Sequence, residues 1–368
     1  MANLVLYRKY RPKVFSEVMG QEHIIQTITN EIANDSLAQC YLFSGPKGSG
    51  KTTIARLLAK AVNCEEEKGF EPCNKCSSCL EINRGAAIDL IEIDAASNRG
   101  IDDIRELKQG IRFAPTKLKY KVFIIDEAHQ LTKEASNALL KILEEPPSFA
   151  IFILATTEIH KMIPTIISRC QQFTFRKLSV PEIVNKLEWI AKKEKVKIEK
   201  PALELIAMNS EGAMRNAEVL LDKCFSFSRT LSKGEIATED IKEMLGIVDI
   251  NLVAEFMDLF SKGDAGGAIK FLNQVVNKGV DPTEFLKAII DYLRQSLLLK
   301  TSPKLEEIIK QELTQEALKT LKAQVSQFKE NDLRRGLKLF LEASDKMRYS
   351  SIPQLPIELA ILEAIDNK

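Results

Sequence analysis

The sequence predicts an α/β core, a parallel sheet covered by helices on both faces, followed by parts that are helical throughout. Three observations carry this. Four short β-rich apolar runs, Cys40–Phe43, Leu90–Ile93, Val122–Ile125 and Ile151–Ala155, are separated by helical patterns such as Thr53–Val62 and Ser136–Leu143. Strand signals stop after Phe175. The length of 368 residues is two or three domains at ~150 residues each.

The helical patterns after the core are Pro181–Lys193, Pro201–Asn209, Arg215–Phe225 and Thr238–Leu245, two of them with Pro at the start, where its missing N–H costs nothing. From Ile250 onward the clearest are Val253–Phe260, Ala265–Val276, Pro282–Leu299 and Leu333–Met347. Boundaries fall near 178 and 246, dividing the chain into 1–178, 179–245 and 246–368.

Composition narrows the function. The apolar fraction is 45% and the charged fraction 28%, as in globular domains. With 52 Lys and Arg against 51 Asp and Glu, the net charge of +1 argues against a globally basic nucleic-acid coat and leaves room for a local basic surface. No apolar run approaches the ~18 residues of a membrane span. The start, with apolar residues before basic ones, is not that of a signal peptide, so the expected compartment is the cytoplasm.

Gly45-Pro46-Lys47-Gly48-Ser49-Gly50-Lys51-Thr52 follows the first strand and opens a helix at Thr53. A polyphosphate needs converging backbone amides, and glycines permit that loop. Lys51 would reach the β- and γ-phosphates, Thr52 would ligate Mg2+, and the helix start adds positive dipole. The expected ligand is ATP with Mg2+. Lys121-Val-Phe-Ile-Ile-Asp126-Glu127 is the partner motif: an apolar strand ends in acids at its carboxyl end, where open α/β sheets bind ligands. Asp126 would join the Mg2+ sphere, and Glu127 is placed to polarise the attacking water as general base. Asp126-Glu-Ala-His129 also spells the box of a helicase class, so a DEAH-type nucleic-acid translocase is an alternative. That reading needs a second α/β domain, which the helical remainder does not supply, and His129 reads as an incidental polar residue.

Cys64, Cys73, Cys76 and Cys79 lie within sixteen residues. Four thiolates suit a closed, structural, tetrahedral Zn2+ site that folds an insertion too small to bury a core. The spacing of the last three also begins an iron–sulfur motif, although the Cys-Pro that would complete it is absent. Cys40, Cys170 and Cys224 read as small apolar residues or semi-buried thiols.

Beyond these motifs, Tyr7-Arg-Lys-Tyr-Arg11-Pro12, Phe15-Ser-Glu-Val18, Gly20-Gln21-Glu22, Ala155-Thr156-Thr157, Ser168-Arg169-Cys170 and Gly212-Ala-Met214-Arg215 stand in an order and spacing that resembles the AAA+ ATPases of the clamp-loader branch, and within it the γ/τ family of bacterial DNA polymerase III. The resemblance implies an AAA+ core at 1–178 with a zinc module at 64–79, a helical lid at 179–245 and an all-helical collar at 246–368. It implies that Tyr7, Arg11, Pro12 and Val18 pack beside adenine. The loop from Gly45 to Thr53, with Met214 and Arg215 from the lid, would complete the nucleotide contacts. Thr156 and Thr157 would be the sensor aligning the water, and Arg169 would reach the ATP of a neighbouring subunit.

The implied function is the ATP-driven motor of the bacterial replicative clamp loader, an ATPase and not a polymerase active site. Implied partners are other loader subunits in a ring, the sliding clamp and primer–template DNA. DNA would be gripped through its phosphates. Arg99, Lys133, Lys141 and Thr165 are candidates for that grip, each also readable as solvated surface. The family's longer form carries a further tail whose functions are not expected in a chain ending at Lys368. A fork scaffold that binds ATP and barely turns it over is a third alternative.

Overall fold

A computed structural model describes residues 4–366, except 67–68, 98–109, 112, 232–234, 247, 303–304, 311–314 and 327. The chain forms two compact units, 1–236 and 237–368.

In the first unit, α1 (Leu6–Lys9) and α2 (Glu22–Ala33) precede β1 (Cys40–Ser44) and α3 (Lys51–Val62). The insert carries α4 (Ser77–Arg84). Then come β2 (Leu90–Asp94), β3 (Lys121–Asp126), α5 (Lys133–Glu144), β4 (Ala150–Thr156), α6 (Pro164–Ile167) and β5 (Gln171–Thr174). The five strands are all parallel, in the order β2-β3-β4-β1-β5. The central strands β1 and β4 are buried along their whole length, because parallel strands covered on both faces need side chains that tolerate burial on each. One face packs against α2 and α3 through Phe15, Ile24, Tyr41, Phe43 and Leu58. The other packs against α5 through Leu42, Phe123, Phe152 and Leu139.

Strand structure continues past the four apolar runs. Gln171-Gln-Phe-Thr pairs with β1 as an edge strand on which only Phe173 is buried, so its polar composition hid it. The absence of strands after Phe175 is also corrected. β6 (Lys197–Ile198) and β7 (Glu235–Ile236) form a two-stranded parallel pair among the lid helices α7 (Val180–Glu194), α8 (Lys200–Met208) and α9 (Met214–Leu231). A third correction concerns the cysteines. The β1–β5 register sets Tyr41 opposite Gln171, which brings the preceding residues together, and Cys40 and Cys170 form a disulfide with Cα atoms 4.6 Å apart. Cys224 is a free, buried thiol.

The second unit is helical. Its helices are α10 (Thr238–Leu245), α11 (Ile250–Lys262), α12 (Ala265–Asn277), α13 (Pro282–Thr301), α14 (Glu306–Lys310), α15 (Gln315–Val325), α16 (Glu330–Met347) and α17 (Leu355–Asp366). Phe256 lies edge-on to both Phe285 and Phe340, and α16 approaches closely at Gly336, where a Cβ would stand 3.2 Å from the Phe260 ring. Helix α17 buries Ile357 and Ile361 on one face and exposes Leu355, Leu359 and Leu362 on another. No helix among the described residues is long and apolar enough to cross a membrane.

Candidate nucleotide site and cysteine centre

The loop between β1 and α3 turns through three glycines with positive φ, at Gly45, Gly48 and Gly50. Gly48 has a second reason to lack a side chain, since a Cβ there would stand 2.9 Å from Ala213 of the lid. Lys51 folds back so that Nζ donates to the carbonyls of Gly45 and Pro46, each at 2.8 Å. Burial draws its pKa below the ordinary lysine value, and Glu127 and Asp126 act against that shift. Lys51 and the rest of the loop from Lys47 to Thr53 line one cavity.

Thr52, the second residue of α3, donates its hydroxyl to Asp126 Oδ2 at 2.8 Å, joining two motifs 74 residues apart. A hydroxyl and a carboxylate side by side are the oxygen ligands Mg2+ prefers, so the pair fits that ion. Glu127 adopts the left-handed conformation, φ 48°, which few non-glycine residues do. Its Oε2 accepts from Thr157 Oγ1 at 3.0 Å and from the Thr157 amide at 3.4 Å.

One cavity is walled by Tyr7, Arg11, Pro12 and Val18, by the loop from Lys47 to Thr53, by Asp126 and Glu127, and by Met214 and Arg215. Gly45 and Pro46 lie behind it, holding Lys51. The Arg215 guanidinium sits over the Tyr7 ring at 4.9 Å, so the lid and the amino-terminal segment meet across the cavity. Gln21, fully buried, donates to the Arg176 carbonyl at 2.9 Å and ties α2 to the lid entrance. Thr156 and Thr157 stand beside the acids and not in the wall. Arg169 is outside the cavity, with Nη2 3.0 Å from Glu144 and Nη1 donating to the Thr165 carbonyl at 2.9 Å. Lys133 and Lys141 are at the surface on α5 and Thr165 is on α6. Arg99 lies outside the described residues.

The structure adds wall residues outside the quoted motifs, Met19, Leu178, Lys186 and Glu218, and brings Glu17 into the wall beside Val18. Glu218 follows Arg215 by one helical turn and is 5% exposed. Burial raises its pKa to about 7, against the pull of Lys186 and Arg11. A further correction is His129. Far from incidental, its side chain is enclosed, with Nδ1 2.9 Å from Thr156 Oγ1. Its sequence signals were its place two residues after Glu127 and the box it completes with Asp126.

The Sγ atoms of Cys64, Cys73, Cys76 and Cys79 lie within 4.8 Å of one another. Tetrahedral zinc with ~2.3 Å bonds sets thiolates ~3.8 Å apart, so the cluster fits that ion. The amides of Lys75 and Cys76 each donate to Cys73 Sγ at 3.3 Å and lower its pKa to about 7, while burial pushes Cys79 up, so that its thiolate needs a cation. The insert also grips the amino-terminal segment. Glu71 accepts the amides of Phe15 and Ser16 at 2.7 and 2.8 Å, and Lys60 bridges the Lys13 carbonyl to Asn74 at 2.7 and 2.6 Å.

Known families match three stretches of the chain. Residues 20–179 match the family described as DNA polymerase III, delta subunit; 182–230 match the DNA polymerase III clamp loader subunit, ATPase lid domain; and 236–368 match DNA polymerase III subunits gamma and tau domain III. The chain is 35% identical over 365 residues to DNA polymerase III subunit gamma of Buchnera aphidicola, covering 98% of each. It is 40% identical over 363 residues to subunit tau of Bacillus subtilis, covering 99% of this chain and 63% of the relative. With subunit tau of Escherichia coli it shares 38% over 303 residues, 82% of this chain and 46% of the relative. The chain thus spans about half to two thirds of these tau subunits and nearly all of a gamma subunit. It belongs to the γ/τ subunit family of bacterial DNA polymerase III, whose members are part of the clamp-loader complex.

Proposed function

We propose that this chain is an ATP-hydrolysing motor subunit of the bacterial replicative clamp loader, working in the cytoplasm to place the sliding clamp on primer–template DNA. The Thr52–Asp126 bond carries the reading, because it brings the two halves of a phosphate and Mg2+ site together under the lid arginine. The three working parts are the core at 1–178, the lid at 179–245 and the collar at 246–368.

The loop amides and Lys51 hold the phosphates, and Thr52 and Asp126 hold Mg2+, which when bound neutralises charge on the transferring group. Glu127 leaves Thr157 to take a proton from the attacking water. Thr156 and Thr157 align that water. Met214 and Arg215 bring the lid onto the nucleotide, so that binding and lid position depend on each other. Tyr7, Arg11, Pro12 and Val18 flank the base. Arg169, outside its own cavity, serves the site of a neighbouring subunit. Cys64, Cys73, Cys76 and Cys79 hold a structural Zn2+ ion. The exposed stripe of Leu355, Leu359 and Leu362 on a helix already buried on another face supports assembly through the collar.

The test is a clamp-loading assay in the assembled complex. Glu127→Gln should bind ATP and the clamp and fail to release it, with hydrolysis down ~10^2–10^4-fold. ATP-driven strand displacement by the intact chain would instead favour the helicase reading. Turnover that ignores clamp and DNA would favour the scaffold.

A further inference from the structure

We propose that His129 is a positioning residue for ATP hydrolysis, tying the Glu127 carboxylate and the Thr156 hydroxyl together across the ends of β3 and β4; this rests on Glu127 being the general base. The ring is enclosed, its side chain 3% exposed. Nδ1 lies 2.9 Å from Thr156 Oγ1 and 3.5 Å from Glu127 Oε2. On the opposite edge Nε2 lies 2.9 Å from the Gln130 side-chain nitrogen and 3.4 Å from Glu158 Oε1.

A packing histidine would be satisfied by backbone groups or water. His129 is surrounded by side chains from the two loops that carry the hydrolytic residues. Those loops leave adjacent strands, and the ring spans the gap. On the β4 side Thr156 Oγ1 also accepts the Glu158 amide at 3.0 Å, so the hydroxyl has one partner from its own loop and one from the β3 loop. On the β3 side Glu127 Oε2 accepts from Thr157 Oγ1, with His129 Nδ1 3.5 Å away. When Glu127 swings to the water, the bond from His129 to Thr156 persists. The hydroxyl then keeps its direction while the carboxylate moves. His129 is not itself part of the cavity wall and acts only through these two residues. A displacement of a reacting group by ~1 Å costs up to ~10^2-fold in rate, which sets the scale of the effect.

The experiment compares His129→Leu, which keeps bulk and removes both nitrogens, with His129→Asn, whose amide occupies the Nδ1 position. Steady-state hydrolysis and the affinity for a fluorescent ATP analogue are measured on the full chain. His129→Leu should lower kcat at least ~10-fold with affinity within about twofold, and His129→Asn should recover most of the loss. The Glu127→Gln, His129→Leu double variant should lose nothing beyond Glu127→Gln alone, as expected for residues acting in one unit. Full kcat in His129→Leu, alongside an inactive Glu127→Gln, leaves the base assignment standing and overturns the role of His129. Equal loss in Leu and Asn variants, or affinity falling with kcat, makes the residue structural only and overturns it too. Normal turnover in Glu127→Gln with a slow His129→Leu removes the base on which the proposal rests and overturns it as stated.

Discussion

The candidate metal site takes all four of its thiols from residues 64–79, whereas the candidate nucleotide cavity takes its walls from segments spread between Tyr7 and Glu218. One short loop therefore brings the four thiols together. The cavity needs the sheet, the amino-terminal segment and the lid in place together. Yet the two are not independent, because Glu71 and Lys60 fasten the segment before Glu17 and Val18 to the insert. The loop that gathers the four thiols also braces one wall of the cavity.

The largest way to break the comparison is Lys51→Ala. Without the ammonium, ATP hydrolysis should fall by at least ~10^2-fold, while metal analysis should still find one zinc per chain. Loss of zinc together with ATPase would show that the two sites fold as one. Arg169→Ala belongs to neither site within its own chain. In the assembled ring it should lower clamp- and DNA-stimulated hydrolysis by up to ~10^3-fold and leave nucleotide affinity of the isolated chain unchanged. Mixing it with Lys51→Ala chains should recover activity where an intact site meets an intact arginine; rings that recover nothing reject the trans role.

Cys76→Ser sharpens the comparison from the other side. Removing a thiolate should strip the zinc and lower Tm by roughly 5–10 °C. Through the Glu71 and Lys60 contacts it should also weaken ATP binding several-fold, read by titration with the same analogue. Unchanged affinity in a zinc-free chain would make the insert a staple and nothing more, and a brown protein would point to an iron–sulfur cluster.

The smallest expected effect is at Glu218. Its folded-state pKa is raised to about 7, so protonation favours the folded form. The stability this gives is complete below the unfolded carboxylate range and is lost as pH rises through about 7. Glu218→Gln should match the parent protein in acid and exceed it above pH 7, by at most ~3 kcal/mol. Denaturant midpoints at pH 5 and pH 8 check this; equal differences at both would show that Lys186 and Arg11 already stabilise the carboxylate.

Legibility in sequence followed the same division. The phosphate loop, the Asp126-Glu127 pair and the four cysteines could be read because each is a local device. A glycine at positive φ, an acid ending an apolar strand and closely spaced thiols carry their chemistry within a few residues. The buried strands β1, β3 and β4 and the half-exposed edge strand β2 showed themselves as apolar runs, and the amphipathic helices by their period. The edge strand Gln171–Thr174 did not, since half its positions meet solvent.

What tertiary structure alone decided is the set of encounters between distant residues. Cys40 meets Cys170 because β1 and β5 pair in one register and not another. His129, read in sequence as an incidental polar residue, meets Thr156 because β3 lies beside β4 and the loop after Glu127 turns it inward. Glu218 and Lys186 enter the cavity wall through the rotation of α9 and α7, and Glu71 finds Phe15 across 56 residues. By itself the sequence determined the parallel sheet, the helical remainder and the residue types that hold phosphate and metal, because these depend on backbone freedom, periodicity and spacing. Which side chains face one another depends on strand register and helix rotation, and those are set by the packing of the whole unit.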